Sequence, residues 1–372
     1  MTFNYWSLTL WACTFVHSLR LANGRRKSVP WTSPWSRIRR NPLMNDIDIH
    51  EGKASPRKHG SPSTAVSVGI VLGMLAMIII PAAITLHSVR IPATLQLDPN
   101  ASPHGYTWSL LLFVVPIVVI AVWFLPNEGL DLPRRAFWRT IWTLVPIGCL
   151  LDVVFAQWFF LFPNPRATLG VHAPALGHWV PVEEYAFYFT GFITILLLYV
   201  WLSEYWLAAY TVKDYQAESR ALPKLLKFHP TSLLIGVVLI AAAVAYKLWF
   251  SDVRQGLPGY FIVLVAGGLV PSIGLYPATG RFINWRALSL TMFFILLISL
   301  LWEATLALPY GWWNYQHRAM MGIFIGAWSN LPIEAVLVWL AVTYGTVILF
   351  EAVKIWQASG RRAKEAFLGP VS

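Results

Sequence analysis

An apolar run of membrane length opens with Pro181-Val182-Glu183-Glu184-Tyr185 and closes with Glu204-Tyr205-Trp206. Proline suits the first turn of a helix because its missing N–H would have no partner there, and acidic groups there meet the positive end of the helix dipole. The pattern returns 151 residues later, where Pro332-Ile333-Glu334 opens a second long apolar run. This recurrence predicts two related halves, each containing one such membrane helix.

Two further acids are separated by the same interval of 151 residues. The shift of 151 residues carries Asp152 onto Glu303, and each lies 31 residues before the glutamate that opens the next run. Charged side chains inside membrane spans are costly and by default mark functional sites. The sequence therefore predicts that Asp152, Glu183, Glu303 and Glu334 face the interior of the helix bundle, with Asp152 and Glu303 near mid-depth.

The composition indicates a polytopic membrane protein. Of the 372 residues, 57% are apolar and 12% charged, and apolar runs of about 20 residues, enough to cross a bilayer, recur. Cys13 and Cys149 alone make neither a disulfide framework nor a zinc site. Dinucleotide-binding, phosphate-binding and HExxH motifs are absent from the sequence. We therefore expect neither a metal nor a cofactor.

The predicted fold is all-α, with about eight transmembrane helices in two parallel four-helix repeats. The expected spans are about 64–86, 107–125, 138–161, 181–205, 231–250, 259–276, 287–308 and 332–355. Residues 1–63 are basic and rich in Pro, Ser and Asn, and they are predicted to form a disordered cytoplasmic tail. The two repeats then cover 64–210 and 211–356, and 357–372 form a second cytoplasmic tail.

The distribution of the net charge of +11 indicates which side of the membrane each connection occupies. With these spans, all but five of the 28 Lys and Arg residues fall on one side of the membrane; the five are Arg90, Arg166, Lys247, Arg254 and Arg318. Cytoplasmic loops carry the excess of positive charge, so both termini are expected in the cytoplasm. The basic residues do not predict a nucleic-acid partner.

Aromatic side chains and asparagines accompany the acids in both halves. The candidate substrate-binding residues are Trp158, Asn164, Phe187, Tyr188, Trp312, Trp313 and Asn314. Phe187 and Tyr188 follow Glu183 and Glu184 by about one helical turn and should share their faces. Aromatic faces stabilise a cation formed beside them.

These residues fit two kinds of membrane chemistry. An apolar environment disfavours the charged form of a carboxyl group, and a neutral carboxylic acid can donate a proton. Acids among aromatic rings suit proton-triggered carbocation chemistry on a hydrocarbon dissolved in the membrane. The same acids could also form the proton relay of a transporter, and the residues alone do not separate these functions.

The string from Pro181 to Tyr188 resembles the Pro-x-Glu-Glu-x-x-Phe-Phe signature of the integral-membrane lycopene cyclases. The second half is similar to that family at Trp302-Glu303, Gly311-Trp312, Tyr315, Leu331-Pro332-Ile333-Glu334 and Phe350-Glu351. The resemblance covers about 107 to 356, with both halves in one chain, as in the fused members of the bacterial, archaeal and fungal type. The second signature has Ala335 where the first has Glu184.

The resemblance implies an intramolecular lyase or isomerase that closes the end groups of lycopene into rings without net redox change or cofactor. Its substrate would be a hydrophobic carotenoid in the lipid bilayer, with other carotenoid-pathway enzymes as candidate partners. A related carotenoid end-group reaction, or cyclisation of another polyprenoid, is the alternative within this class of enzyme. We expect Glu183 to protonate the terminal double bond and Glu184 or Asp152 to remove the ring proton. Glu303 and Glu334 are the corresponding candidates in the second half.

Overall fold

The computed structural model describes residues 103–176 and 178–369, together with isolated positions between 69 and 84. The predicted tail, 1–63, and most of the first predicted span, 64–86, lie outside the described residues.

Within the described residues, seven helices are long and apolar enough to cross a membrane. They are α1 (Gly105–Asn127), α2 (Arg134–Phe159), α3 (Val182–Trp206), α5 (Pro230–Trp249), α6 (Gly259–Thr279), α7 (Trp285–Ala307) and α8 (Ile333–Ser359). Two short helices, α4 (Tyr215–Arg220) and α9 (Ala363–Leu368), flank them. The seven correspond, within a few residues, to the last seven predicted spans. The prediction of a helical, polytopic integral membrane protein is confirmed.

Local sequence explains where these helices begin and end. α3 and α8 each follow a proline with extended backbone, Pro181 and Pro332, and each carries acid in its first turn. α7 begins after Asn284, whose side chain accepts a hydrogen bond from the Ala287 N–H at 3.1 Å, as an N-cap residue does. α8 ends at Gly360, whose φ of 68° is left-handed and suits glycine.

The centre of the bundle is formed by α3 and α8. They are the two most buried of the candidate spans, and α8 packs against α2, α3, α6 and α7. The acid-bearing helices thus lie inside the bundle, while helices such as α5 expose most of their apolar side chains. Such exposed apolar surface is expected where a helix faces lipid.

Short antiparallel strand pairs occupy the connections at one end of the bundle. The strands β2 (His172–Ala175) and β3 (His178–Pro181) pair before α3, and β5 (Phe324–Ile325) and β6 (Leu331–Pro332) pair before α8. Strand β1 (Phe160–Leu161) joins β4 (Asn314–Tyr315), which links the two connections to each other. We call this end the hairpin end. These strands were not predicted from the sequence.

A buried polar cluster lies toward the opposite end. Glu351 is 1% exposed; it accepts a hydrogen bond from Tyr199 at 3.1 Å and another from Tyr215, and its carboxylate is 3.5 Å from Lys354 Nζ. Burial raises the pKa of Tyr215 well above its ordinary value, and the nearby Glu351 adds to the effect. This cluster ties α4 to the central helices.

Candidate functional site

A cavity of about 80 Å³ lies within the bundle among α1, α3, α6, α7 and α8. Two carboxyl groups line it, those of Glu184 and Glu303. The rest of the lining is mostly aromatic and aliphatic; the aromatic side chains are Tyr106, Phe160, Phe187, Tyr188, Phe192, Tyr260, Trp302, Trp313, Tyr315 and Trp339. Apolar pockets with a few convergent polar groups are the usual form of small-molecule sites.

Glu184 reaches this cavity from the first turn of α3. Its Oε1 accepts a hydrogen bond of 2.6 Å from the hydroxyl of Tyr106 on α1. Phe187 and Tyr188, three and four residues further along α3, line the same cavity, as their helical spacing predicts. One face of α3 therefore presents an acid and two aromatic rings together.

Glu303 reaches the cavity from α7, where it begins the π-helical turn Glu303–Ala307. Trp339 Nε1 on α8 donates to Glu303 Oε1 at 2.8 Å, and the Tyr315 hydroxyl donates to Glu303 Oε2. Burial raises the pKa of Tyr315 well above its ordinary value, so this hydroxyl stays protonated and available as a donor. Both carboxyl oxygens of Glu303 are thus held by donors.

Glu303 also lies near the end of α7 that faces the hairpins. α7 ends at Ala307, four residues after Glu303. At a rise of about 1.5 Å per residue, Glu303 therefore lies about 6 Å from the end of the helix. The expectation that it lies near mid-depth stays a prediction, because the structure gives its position along α7 and not the membrane boundaries. Both cavity carboxyls therefore lie toward the hairpin end.

Asp152 is buried, at 4% exposure, but it lies outside the cavity lining. Its Oδ1 accepts a 3.0 Å hydrogen bond from Tyr188, whose ring does line the cavity, while Oδ2 has no partner among the described residues. Gly148 leaves room for that ring, because a Cβ there would lie 2.7 Å from Tyr188 Cδ1. Asp152 thus contacts the cavity through Tyr188.

Glu183 and Glu334 are buried as predicted, at 1% and 0% exposure, yet neither lines the cavity. Glu183 Oε1 accepts hydrogen bonds from Thr107 Oγ1 at 2.6 Å and from the Leu169 N–H at 2.7 Å. Glu334 Oε1 accepts from the Met321 N–H at 2.5 Å. Each glutamate therefore ties a connection at the hairpin end to the first turn of its helix, and the reacting role expected for Glu183 stays a prediction.

Trp302 is the centre of the aromatic cluster. Its ring lies 4.8 Å from that of Trp313, 5.2 Å from Phe187 and 5.3 Å from Phe113, measured between centroids. Trp312 is buried but stacks on Tyr106, with a centroid distance of 6.2 Å, outside the cavity lining. The predicted binding residues Phe187, Tyr188 and Trp313 line the cavity, and Trp312 supports it.

Three predicted binding residues lie elsewhere. Trp158, near the end of α2, is 47% exposed, and Asn314, in β4, is also exposed. In each case the next residue, Phe159 or Tyr315, is the buried one. Asn164 is buried, but its amide donates to the Tyr310 carbonyl at 3.1 Å. It therefore links the segment between α2 and α3 to the segment between α7 and α8. None of these three lines the cavity, and their predicted role in substrate binding stays a prediction.

Sequence reasoning missed several residues of the cavity, notably Tyr106, Tyr260, Trp302 and Trp339. The interval of 151 residues could have identified Trp339, because it carries Tyr188 onto that position. Trp302 belongs to the Trp302-Glu303 pair that resembles the family, which did not by itself indicate a binding role. Tyr106 and Tyr260 are single aromatic residues in apolar helices, a pattern shared with residues that merely anchor a helix at the membrane interface. Only the packing of the helices distinguishes them.

Within the described residues, no group of three or more His, Cys, Asp and Glu side chains gathers as a metal site would require. No protein-family model, characterised protein or solved structure significantly matches this chain.

Proposed function

We propose that this protein is a carotenoid end-group cyclase that acts inside the membrane by proton-initiated, non-redox carbocation chemistry. The observation that carries the proposal is the cavity in which Glu184 and Glu303 face one space among aromatic rings. The resemblance of the segment from Pro181 to Tyr188 to the lycopene cyclase signature supports lycopene, or a similar linear polyene, as the substrate.

The two carboxyl groups suit different steps. Glu184 accepts a single side-chain hydrogen bond, from Tyr106, and serves as the proton donor to the terminal double bond. The resulting tertiary cation is attacked by the neighbouring double bond, which closes the ring. Glu303, whose charge is offset by the donors Tyr315 and Trp339, then removes the ring proton. Product and substrate are isomers, and one proton passes from Glu184 to Glu303 before exchange with water resets the site.

The aromatic rings stabilise the cation between these steps. Trp302, Trp313 and Phe187 present their rings within one cluster at the cavity wall. Cation–π attraction is worth about 0.5–1 kcal/mol at exposed sites and about 2 kcal/mol or more where water is excluded. Several rings together would lower the barrier to forming the cation. Carboxylates without such rings would instead capture the cation by bonding to it.

We also propose that the chain consists of two related halves that share one site. Residues separated by 151 positions make equivalent contacts: Tyr188 donates to Asp152, and Trp339 donates to Glu303. A strand pair precedes the acid-bearing helix in each half. Since Glu184 comes from the first half and Glu303 from the second, neither half would be catalytic alone.

The positive-inside rule supports an orientation for this site. Within the described residues, the connections and the C-terminal segment that carry most Lys and Arg residues lie at the end opposite the hairpins, so we place that end in the cytoplasm. With the span predicted at 64–86, both termini would be cytoplasmic. Glu184 and Glu303 then lie in the half of the membrane away from the cytoplasm. The substrate would reach them from the lipid phase.

The proposal is tested by expressing the chain in cells that accumulate lycopene and by identifying the pigments. Ring-closed products should form with the unmodified chain and disappear with Glu184→Gln and Glu303→Gln at equal protein levels. Unchanged lycopene in all three cultures would refute the proposal. Proton flux through the purified protein in vesicles would then favour the transporter.

A further inference from the structure

A second concave surface lies beside the cavity. It is a groove of about 410 Å³ between the end of α2 and the start of α6, lined by Phe155, Trp158, Phe159, Leu257, Gly259, Val263, Arg318 and Ala319. Trp158 and Leu257 are 47% and 62% exposed, so the groove opens to the surroundings of the bundle. Apart from Arg318, its lining is apolar. We call it the lateral groove.

Only a few aromatic rings separate the lateral groove from the cavity. Phe159 lines the groove, and its ring centroid is 5.0 Å from that of Tyr260, which lines the cavity. Phe160, the next residue along the chain, also lines the cavity and lies 5.4 Å from Tyr260. The rings of Phe159 and Tyr260 therefore lie between the two spaces.

The cavity is too small for a whole polyene. At about 80 Å³ it is well below the roughly 300–1,000 Å³ of sites that enclose a drug-sized ligand. A linear carotenoid is far longer than its end group, so the remainder of the molecule has to leave the cavity. The lateral groove is apolar, adjoins the cavity wall and is open to the outside, which is what the remaining hydrocarbon chain requires.

We propose that the lateral groove binds the hydrocarbon chain of the substrate while its end group occupies the cavity, with Phe159 and Tyr260 forming the passage between them. This inference rests on the proposed function and adds the path of the substrate. Binding along the groove would be driven by contact with Trp158, Leu257 and Val263. Recognition would therefore favour long apolar chains over short ones carrying the same end group.

The experiment compares two substrates in protein purified in lipid: lycopene, and a short acyclic terpene that carries the same terminal pair of double bonds and no extended chain. Val263→Trp fills the groove from its α6 wall, and Leu257→Trp is a second variant that fills it from the loop before α6. Val237→Trp is the matched control, since Val237 is 56% exposed on α5 and belongs to neither cavity nor groove. The measured quantity is the ratio of kcat/KM for lycopene to kcat/KM for the short terpene.

We expect each groove variant to lower this ratio by about tenfold or more, the scale on which apolar pockets discriminate between chains, while Val237→Trp leaves it unchanged. A ratio that stays the same in both groove variants, or an equal loss for both substrates, would overturn the role of the groove. If the unmodified protein converts neither substrate, the proposed function itself fails, and the role of the groove falls with it.

Discussion

The neighbouring residues Glu183 and Glu184 should respond very differently to the same substitution. Glu184→Gln keeps an oxygen to accept the 2.6 Å hydrogen bond from Tyr106 but cannot supply a proton. Loss of a general acid costs about 10²–10⁴-fold in rate, which is about 2.7–5.5 kcal/mol in activation free energy. We expect turnover to fall by that factor with little change in the amount of folded protein.

Glu183→Gln should affect folding and not chemistry. Both hydrogen bonds of Glu183, from Thr107 and Leu169, end on Oε1, which the amide oxygen can replace. The new NH₂ group takes the place of Oε2, which has no partner among the described residues. A buried donor without a partner costs about 1–3 kcal/mol, so the thermal unfolding midpoint should fall while turnover per folded molecule stays within about threefold of the unmodified protein.

The assay counts ring-closed product per folded molecule, with folded protein quantified by size-exclusion chromatography in detergent. Both variants are compared with the unmodified chain in the same lipid. If Glu183→Gln loses more turnover than Glu184→Gln, the assignment of Glu184 as the proton donor is refuted, and Glu183 would regain the role that the sequence suggested.

Three further perturbations follow from the site and the buried cluster. Gly148→Ala places a Cβ 2.7 Å from Tyr188 Cδ1, so we expect a loss of about 1–3 kcal/mol in stability from overpacking, measured by thermal unfolding. Gly267→Ala, where nothing lies within 4 Å of the added Cβ, is the control and should show no such loss. Trp339→Phe removes one donor to Glu303 and should lower kcat about 10–100-fold, since hydrogen bonds to charged groups contribute about 1.5–3 kcal/mol; an unchanged kcat would contradict the role of that contact. The pKa of Tyr215 is raised in the folded protein. The stabilisation that the protonated hydroxyl gives to the packing of α4 is therefore fully present below the ordinary pKa of about 10, and it is lost as the pH rises through the folded value. The protection factor of the amides in 215–220, which compares their exchange with that of an unstructured peptide at the same pH, should therefore fall above about pH 10, and Tyr215→Phe should lose this fall; an equal fall in the variant would exclude Tyr215 as the cause.

The sequence predicted the membrane helices well because their signal is strong and local. Long apolar runs bounded by Pro, Asn or Gly define where a helix enters and leaves the hydrocarbon. The burial of Asp152, Glu183, Glu303 and Glu334 was also predictable, since an acid inside a span has to face the bundle interior. The described helices and the exposures of these four acids agree with both expectations.

The sequence could not predict which acids share a cavity. Adjacent residues on a helix point about 100° apart, so Glu183 and Glu184 face different neighbours, and only the positions of α1 and the hairpin end decide which one meets Tyr106. In the same way, Glu334 looks equivalent to Glu183 in sequence, and both are used to hold connections at the hairpin end. The site instead combines Glu184 with Glu303, a pair with no relation in the 151-residue interval.

The exposed positions of Trp158 and Asn314 have a similar cause. Both lie in aromatic-rich segments beside the acids, and residue type alone does not say which side of a helix end or strand is buried. At β1 and β4, the pairing of Phe160 with Tyr315 turns these two rings toward the cavity and leaves Asn314 outside. Strand pairing at the hairpin end therefore decides part of the site.

The most direct test of proton-initiated cyclisation is the reaction of lycopene with the purified protein in lipid vesicles prepared in deuterium oxide, without added flavin or nicotinamide. The proton delivered to the terminal double bond comes from an exchangeable carboxyl group, and the proton removed from the ring is lost to solvent. Mass spectrometry should therefore find one deuterium for each ring formed. Rings without deuterium, or a product that differs from lycopene in its total of hydrogen and deuterium atoms, would contradict the account.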